Sequence, residues 1–150
     1  MAEKREELLA HYQQMRSELL SAIDGLSDRQ MTETSIDGWS VTDHLAHIAF
    51  WDDLRAGEVV RISVGHESAL RMTGGQDTAY NTLAYEFRRG LKPDQVRWEL
   101  ETSRRRLLDA ISLSTERGMD ASLYGEAGLR TRHEAEHAGW IKRCRNEKGI

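Results

Sequence analysis

Ser40-Val41-Thr42-Asp43-His44-Leu45-Ala46-His47-Ile48-Ala49-Phe50-Trp51 reads as the opening of a helix. Ser40 stands three residues before Asp43, the spacing at which a serine hydroxyl and an acidic side chain each accept from the other's backbone N–H. Past that start, Val41, Leu45, Ile48, Ala49, Trp51, Leu54 and Val59 recur at helical spacing and mark one apolar face. The pattern frays near Ser63 to Gly65.

The same period runs outward in both directions. Leu8, Leu9, Tyr12, Met15, Leu19, Leu20 and Ile23 mark a long first helix that closes near Asp24-Gly25, where glycine is a natural stop. Asp28 to Gly38 reads as a loop, and Gly65 to Gln76 as a polar, glycine-containing loop or bent connection. A shorter helix is expected from about Asp77 to Arg89, ending at Gly90. Pro93, the single proline, sits where the first turn of a further helix tolerates its missing N–H. Val96, Leu100, Ser103, Leu107, Leu108 and Ile111 carry that helix. A polar link from Gly118 to Gly128 leads to a last helix from near Leu129 to about Asn146. Strand-like alternation is hard to find, and no repeat or low-complexity tract is present. The expectation is an all-α protein: one domain over residues 1–150, a four-helix bundle with Asp77 to Arg89 as a short accessory helix.

Composition narrows the function classes. The chain is 39% hydrophobic and 31% charged, the balance of a folded, soluble protein. Its net charge of -4 comes from interspersed signs, which gives no field for nucleic acid and no polybasic membrane patch. The basic cluster Lys142, Arg143, Arg145 and Lys148 reads as a helix C-terminus, where cations complement the macrodipole. Cys144, alone, makes no internal disulfide and reads as a small core side chain. The charged N-terminus lacks the apolar stretch of a signal peptide, and no apolar run is long enough to span a bilayer. A cytoplasmic location is expected, with neither nucleic acid nor membrane as partner.

The histidines carry the chemistry. His133 and His137 are four apart on the last helix, so their imidazoles face the same side one turn apart and are able to share a metal ion. Two ligands are weak alone, and the second helix offers a third in His44 or His47. His11 and His66 have no partner at ligand spacing and read as surface residues. His133-Glu134-Ala135-Glu136-His137 also matches the H-E-x-x-H helix of zinc peptidases, but no histidine follows His137, and Trp140 stands where the extended motif needs glycine. The peptidase reading is set aside. Glu134 and Glu136 remain as acceptors for imidazole N–H groups, or as charges on a helix surface.

With these residues in place, the chain resembles the DinB/YfiT-like superfamily. The resemblance rests on Gly38-Trp39-Ser40-Val41-Thr42-Asp43-His44-Leu45-Ala46-His47-Ile48-Ala49-Phe50-Trp51, in which His47 lies eight residues after Trp39, the family's place for a metal histidine. It extends to the His133/His137 pair on the last helix and to Arg104, Leu107 and Leu108 before the last link. The resemblance implies a bundle holding one divalent metal through His47, His133 and His137. His44 is not at a ligand position and lies behind the ligands or on the surface. Nickel, zinc and iron all suit such a donor set. Known members act on small molecules. They include thiol transferases that use mycothiol or bacillithiol, a mycothiol-dependent maleylpyruvate isomerase and resistance proteins. A homodimer is the family expectation.

Three neutral imidazoles leave the ion's charge and some coordination positions open, which suits acidifying water or activating a thiolate. The functional expectation is therefore a metal-dependent enzyme acting on a small molecule, by hydrolysis or by transfer of a low-molecular-weight thiol. The alternative is a non-catalytic protein that binds or sequesters a small molecule on the same fold. Asp43, one turn before His47, is the candidate catalytic carboxylate, although the helix-start box with Ser40 also claims it. Tyr12 reads as core, and Trp39, Trp51 and Trp140 as core or pocket walls.

Overall fold

A computed structural model describes residues 2–34, 38–70, 75–125 and 128–150. Residues 35–37, 71–74 and 126–127, which fall in the three expected links, lie outside the described residues. The helices are α1 (Ala2–Ile23), α2 (Asp28–Thr32), α3 (Val41–Ser63), α4 (Gln76–Arg88), α5 (Pro93–Ser112) and α6 (His133–Lys148). No strand occurs among the described residues; Thr34 and Ser40 pair in a single antiparallel bridge just ahead of α3. The architecture is the expected all-α bundle. In it α3 lies along α5 and α1 against α6, while α4 rests on α3 as an accessory helix. No described helix is long and apolar enough to cross a membrane.

The boundaries follow local chemistry. α1 stops before Gly25, whose φ of 78° lies in the left-handed region that glycine enters without strain. α5 begins on Pro93 in its first turn, as the sequence predicts. Two boundaries differ from the reading above. The expected loop from Asp28 contains α2, started by a reciprocal box between Ser27 and Gln30. Five residues are too few to show a helical period, so the cap is the whole of its signal. The last helix begins at His133, four positions later than expected from Leu129. Leu129 is buried in the core, but its backbone is not helical: its carbonyl accepts from the Tyr12 hydroxyl, and the Thr131 hydroxyl accepts from the His133 N–H at 3.0 Å. Leu129 thus enters the core from a loop rather than from a helix.

Among the described residues the core has two large apolar clusters and a small third of Trp51 and Leu70. One large cluster contains Leu19, Ala22, Ile23, Leu45, Ile48, Ala49, Leu100, Ala138 and Ile141. The other large cluster contains Leu8, Tyr12, Ala56, Val59, Leu107, Ile111 and Leu129. On every bundle helix a charged residue falls between members of the two: Arg16 on α1, Asp52 on α3, Arg104 on α5 and Glu134 on α6. These four form a closed ionic layer. Arg16 donates to Asp52 at 3.0 Å and to Glu134 at 2.6 Å, and Arg104 donates to Asp52 at 2.9 and 3.2 Å and to Glu134. The remaining donors reach main-chain carbonyls, Arg16 that of Leu100 and Arg104 that of Tyr12. Two cations and two carboxylates balance, which removes the large penalty of burying an uncompensated charge. Because the layer touches all four helices, it also sets their relative heights.

Candidate metal centre

His44 and His47 lie in the first turns of α3, and His133 and His137 in the first turns of α6. The α3 start is the box read from the sequence: the Ser40 hydroxyl accepts from Asp43 N at 3.1 Å, and Asp43 Oδ2 accepts from Ser40 N at 2.9 Å. At α6, Glu134 anchors the first turn into the ionic layer, and this fixes the residue preceding it, His133, toward α3.

The imidazoles of His47, His133 and His137 converge, one ligand atom from each lying within 4.8 Å of the others. His133 Nε2 stands 2.9 Å from His47 Nε2 and 2.9 Å from His137 Nε2. An imidazole nitrogen has one in-plane valence, a proton or a lone pair, so His133 Nε2 is unable to make a good hydrogen bond to both neighbours at once. A cation at the meeting point satisfies all three lone pairs. Two nitrogens bound to one ion at about 2.1 Å stand about 3.0–3.4 Å apart, from square to tetrahedral angles, so the observed separations are near those of a coordination set. Coordination through Nε2 puts the proton of each ring on Nδ1. The buried His47 Nδ1 has no hydrogen-bond partner among the described residues.

Electrostatics favour the ligand form. Burial, then the neighbouring His133 and His44, pushes His47 down to about 3. Burial, then His133, His47 and His44, lowers His137 to about 2. Burial, and next Arg55, lowers His133 to about 4, with Asp52 acting the other way. All three rings are neutral at physiological pH, as metal ligation requires.

Comparison with known proteins identifies the family and the fold. Residues 11–141 match the DinB superfamily. The chain belongs to that superfamily. Among solved structures, this DinB superfamily member is similar to the crystal structure of the mycothiol-dependent maleylpyruvate isomerase. The TM-score is 0.70 at 19% sequence identity, covering 91% of this chain and 60% of that one. The likeness is one of fold, and the chain spans about 60% of that protein's length. No curated protein gives a significant sequence match.

The walls of the centre in this DinB superfamily member are aromatic. The Trp39 ring lies 5.2 Å from that of His44 and 5.3 Å from that of His47, and stacks on Tyr85 of α4 at 5.5 Å. Trp140 packs against His137 at 4.7 Å, and Trp51 lies 6.4 Å from His47 while donating to Asn81 on α4. Trp39 lines the opening beside His47, Trp51 is buried against Leu70, and Trp140 is 40% exposed. Asp43 lines a narrow opening beside His47 together with Trp39, Ala84, Tyr85, Arg88 and Arg89. Tyr12 is core, its hydroxyl spent on Leu129 and its ionisation pushed up to about 12 by burial first. Cys144 is buried.

Two residues sit differently from their sequence reading, and His44 takes one of the two places read for it. Glu134 is neither an acceptor for imidazole N–H groups nor a surface charge, because its carboxylate is committed to Arg16 and Arg104. His11 is half-buried, with Nε2 2.7 Å from the Thr131 carbonyl. His44, left open between surface and interior, is 2% exposed with Nδ1 2.7 Å from His137 Nδ1. The ionic layer is a further feature of the site's surroundings. Its signal was available: Arg16 follows Tyr12 by four and Arg104 follows Leu100 by four, so each charge occupies a core position of its helix.

Proposed function

We propose that the protein is a metal-dependent enzyme acting on a small molecule, with one divalent ion held by His47, His133 and His137. The single observation that carries this reading is the convergence of three neutral imidazole nitrogens on one point. Nickel, zinc and iron are the candidate ions. A divalent ion in such a set supplies Lewis acidity toward oxygen and sulfur groups. The protein's own contribution is to keep three uncharged donors in place, so that the ion retains its full charge, and to wall the centre with Trp39, Trp51 and Trp140. Asp43, at the opening, is the carboxylate placed to hold or move a proton there, while Ser40 N fixes its second role at the helix start. Hydrolysis and transfer of a low-molecular-weight thiol both fit. The fold shared with a mycothiol-dependent isomerase supports including mycothiol among the thiols. A homodimer in solution is part of the proposal, and sedimentation at micromolar concentration tests it.

One observation favours a second reading. The opening beside His47 has a volume of only about 10 Å³, room for roughly one water. An opening this narrow beside His47 would suit a binding protein, or a fold with an idle ion. The experiment is a screen of metal-loaded protein against small electrophiles with mycothiol, bacillithiol, glutathione or water as nucleophile. Turnover that disappears in His47→Ala and on chelation is the expected result. Activity surviving both places the chemistry elsewhere, and retained metal without any turnover favours the binding reading.

A further inference from the structure

His44 shares the first turns of α3 with His47, yet it does not belong to the converging set, which comprises His47, His133 and His137. Its place is behind His137. Nδ1 of His44 lies 2.7 Å from Nδ1 of His137, and Nε2 of His137 faces His133 at 2.9 Å. His137 is thus held at both ring nitrogens. The His44 ring is 2% exposed and is fixed by Trp39 at 5.2 Å and Trp140 at 6.1 Å, so it has no room to swing out to water.

This geometry restricts the tautomers. A neutral imidazole carries one proton, on one of its two nitrogens. Two Nδ1 atoms at 2.7 Å share a single proton: one ring donates and the other accepts. If His137 presents its Nε2 lone pair to an ion, its proton is on Nδ1, and His137 is the donor. His44 must then accept through a bare Nδ1 and carry its own proton on Nε2. Resting on the metal-centre reading, we infer that His44 is a positioning residue for the ion: its Nδ1 accepts the His137 Nδ1–H, which locks His137 in the tautomer and orientation that turn Nε2 toward the centre. A hydrogen-bond acceptor behind a metal-bound histidine fixes the ring and raises its basicity, and loss of such a partner typically costs about 10–100-fold in metal affinity. His47, whose Nδ1 lacks any such partner among the described residues, makes the contrast within one site.

The test is zinc affinity by competition with a chromophoric chelator, on wild type, His44→Phe and His44→Asn, with far-UV circular dichroism as the check on folding. Phenylalanine keeps the aromatic packing and removes the acceptor. Asparagine places a carbonyl oxygen near the former Nδ1 and keeps one. The expected result is a loss of about 10–100-fold in His44→Phe and recovery of most of it in His44→Asn. A second readout needs no variant: long-range proton–nitrogen correlation of the imidazoles in zinc-loaded wild type should show His44 protonated on Nε2 and bare on Nδ1. A folded His44→Phe protein that binds zinc as tightly as wild type overturns the inference, and so does a proton on His44 Nδ1 in the loaded protein. Wild type that takes up no zinc overturns the metal-centre reading and this inference with it. Normal wild-type binding with an indifferent His44→Phe overturns this inference alone.

Discussion

Replacing Arg104 with Met removes one corner of the ionic layer. The Arg104 side chain is 6% exposed, reaches both Asp52 and Glu134, donates to the Tyr12 carbonyl at 2.8 Å and lies 5.0 Å over the Tyr12 ring. Methionine fills much of the same volume, so the main loss is charge compensation. Asp52 and Glu134, 3% and 6% exposed, then keep Arg16 as their ion-pair partner in the layer. Breaking a buried pair by removing one partner costs about 3–5 kcal/mol, because a buried charge is left uncompensated. Against a total stability of about 5–15 kcal/mol, that is a large share. In urea, with a slope of about 2 kcal/mol per M, it amounts to a fall in midpoint of about 1.5–2.5 M. The assay is urea unfolding of the metal-free protein, followed by circular dichroism. Adding Glu134→Gln to Arg104→Met removes the orphaned carboxylate and should restore part of the loss, giving a coupling of about 1 kcal/mol or more between the two sites. A fall of less than about 0.5 M for Arg104→Met, or strict additivity in the double variant, would refute the view that the layer acts as one balanced unit.

Acidification should destabilise the metal-free protein. His47, His133 and His137 are held at about 3, 4 and 2, against about 6.5 in an unfolded chain. The unfolded chain therefore takes up protons that the folded chain refuses, so this stability is complete above about pH 6.5 and is lost progressively as pH falls toward the folded values. Urea midpoints at about pH 5 should lie below those at about pH 7.5, with a smaller difference in His137→Ala; equal differences for the two proteins would show that His137 is not a cause. Ser40→Ala removes the acceptor for Asp43 N and should cost about 1 kcal/mol in the same assay, whereas no measurable change would mean that the box does not hold the start of α3.

The fold was legible because its helices are long and their apolar residues keep the helical period. Val41, Leu45, Ile48, Ala49, Trp51 and Val59 mark a face that is buried, with Leu54 half-buried, and Tyr12, Met15, Leu19 and Ile23 mark another, from which Leu20 turns away at 50% exposure. The start of α3 was legible because Ser40 and Asp43 act locally, within one turn. The three converging histidines were suggested by an i, i+4 pair and a family position, but their meeting depends on how α3 and α6 pack, which spacing alone does not give. Features that arise only between helices stayed hidden. Glu134 looked like one more acid in a charged helix until Arg16 and Arg104 were brought against it from α1 and α5. His44 looked interchangeable with a surface histidine until Trp39, Trp140 and His137 enclosed it. The late start of α6 has the same origin: Leu129 is drawn into the core by Tyr12, a contact between distant segments.

The central claim is that His47, His133 and His137 hold one divalent ion, and elemental analysis of protein purified without a histidine tag tests it most directly. After loading with zinc and removal of loosely held ion by gel filtration, the account predicts one zinc per chain in wild type. It predicts a sharp drop in folded His137→Ala. The same bound zinc in His137→Ala as in wild type, or none in either, would contradict it.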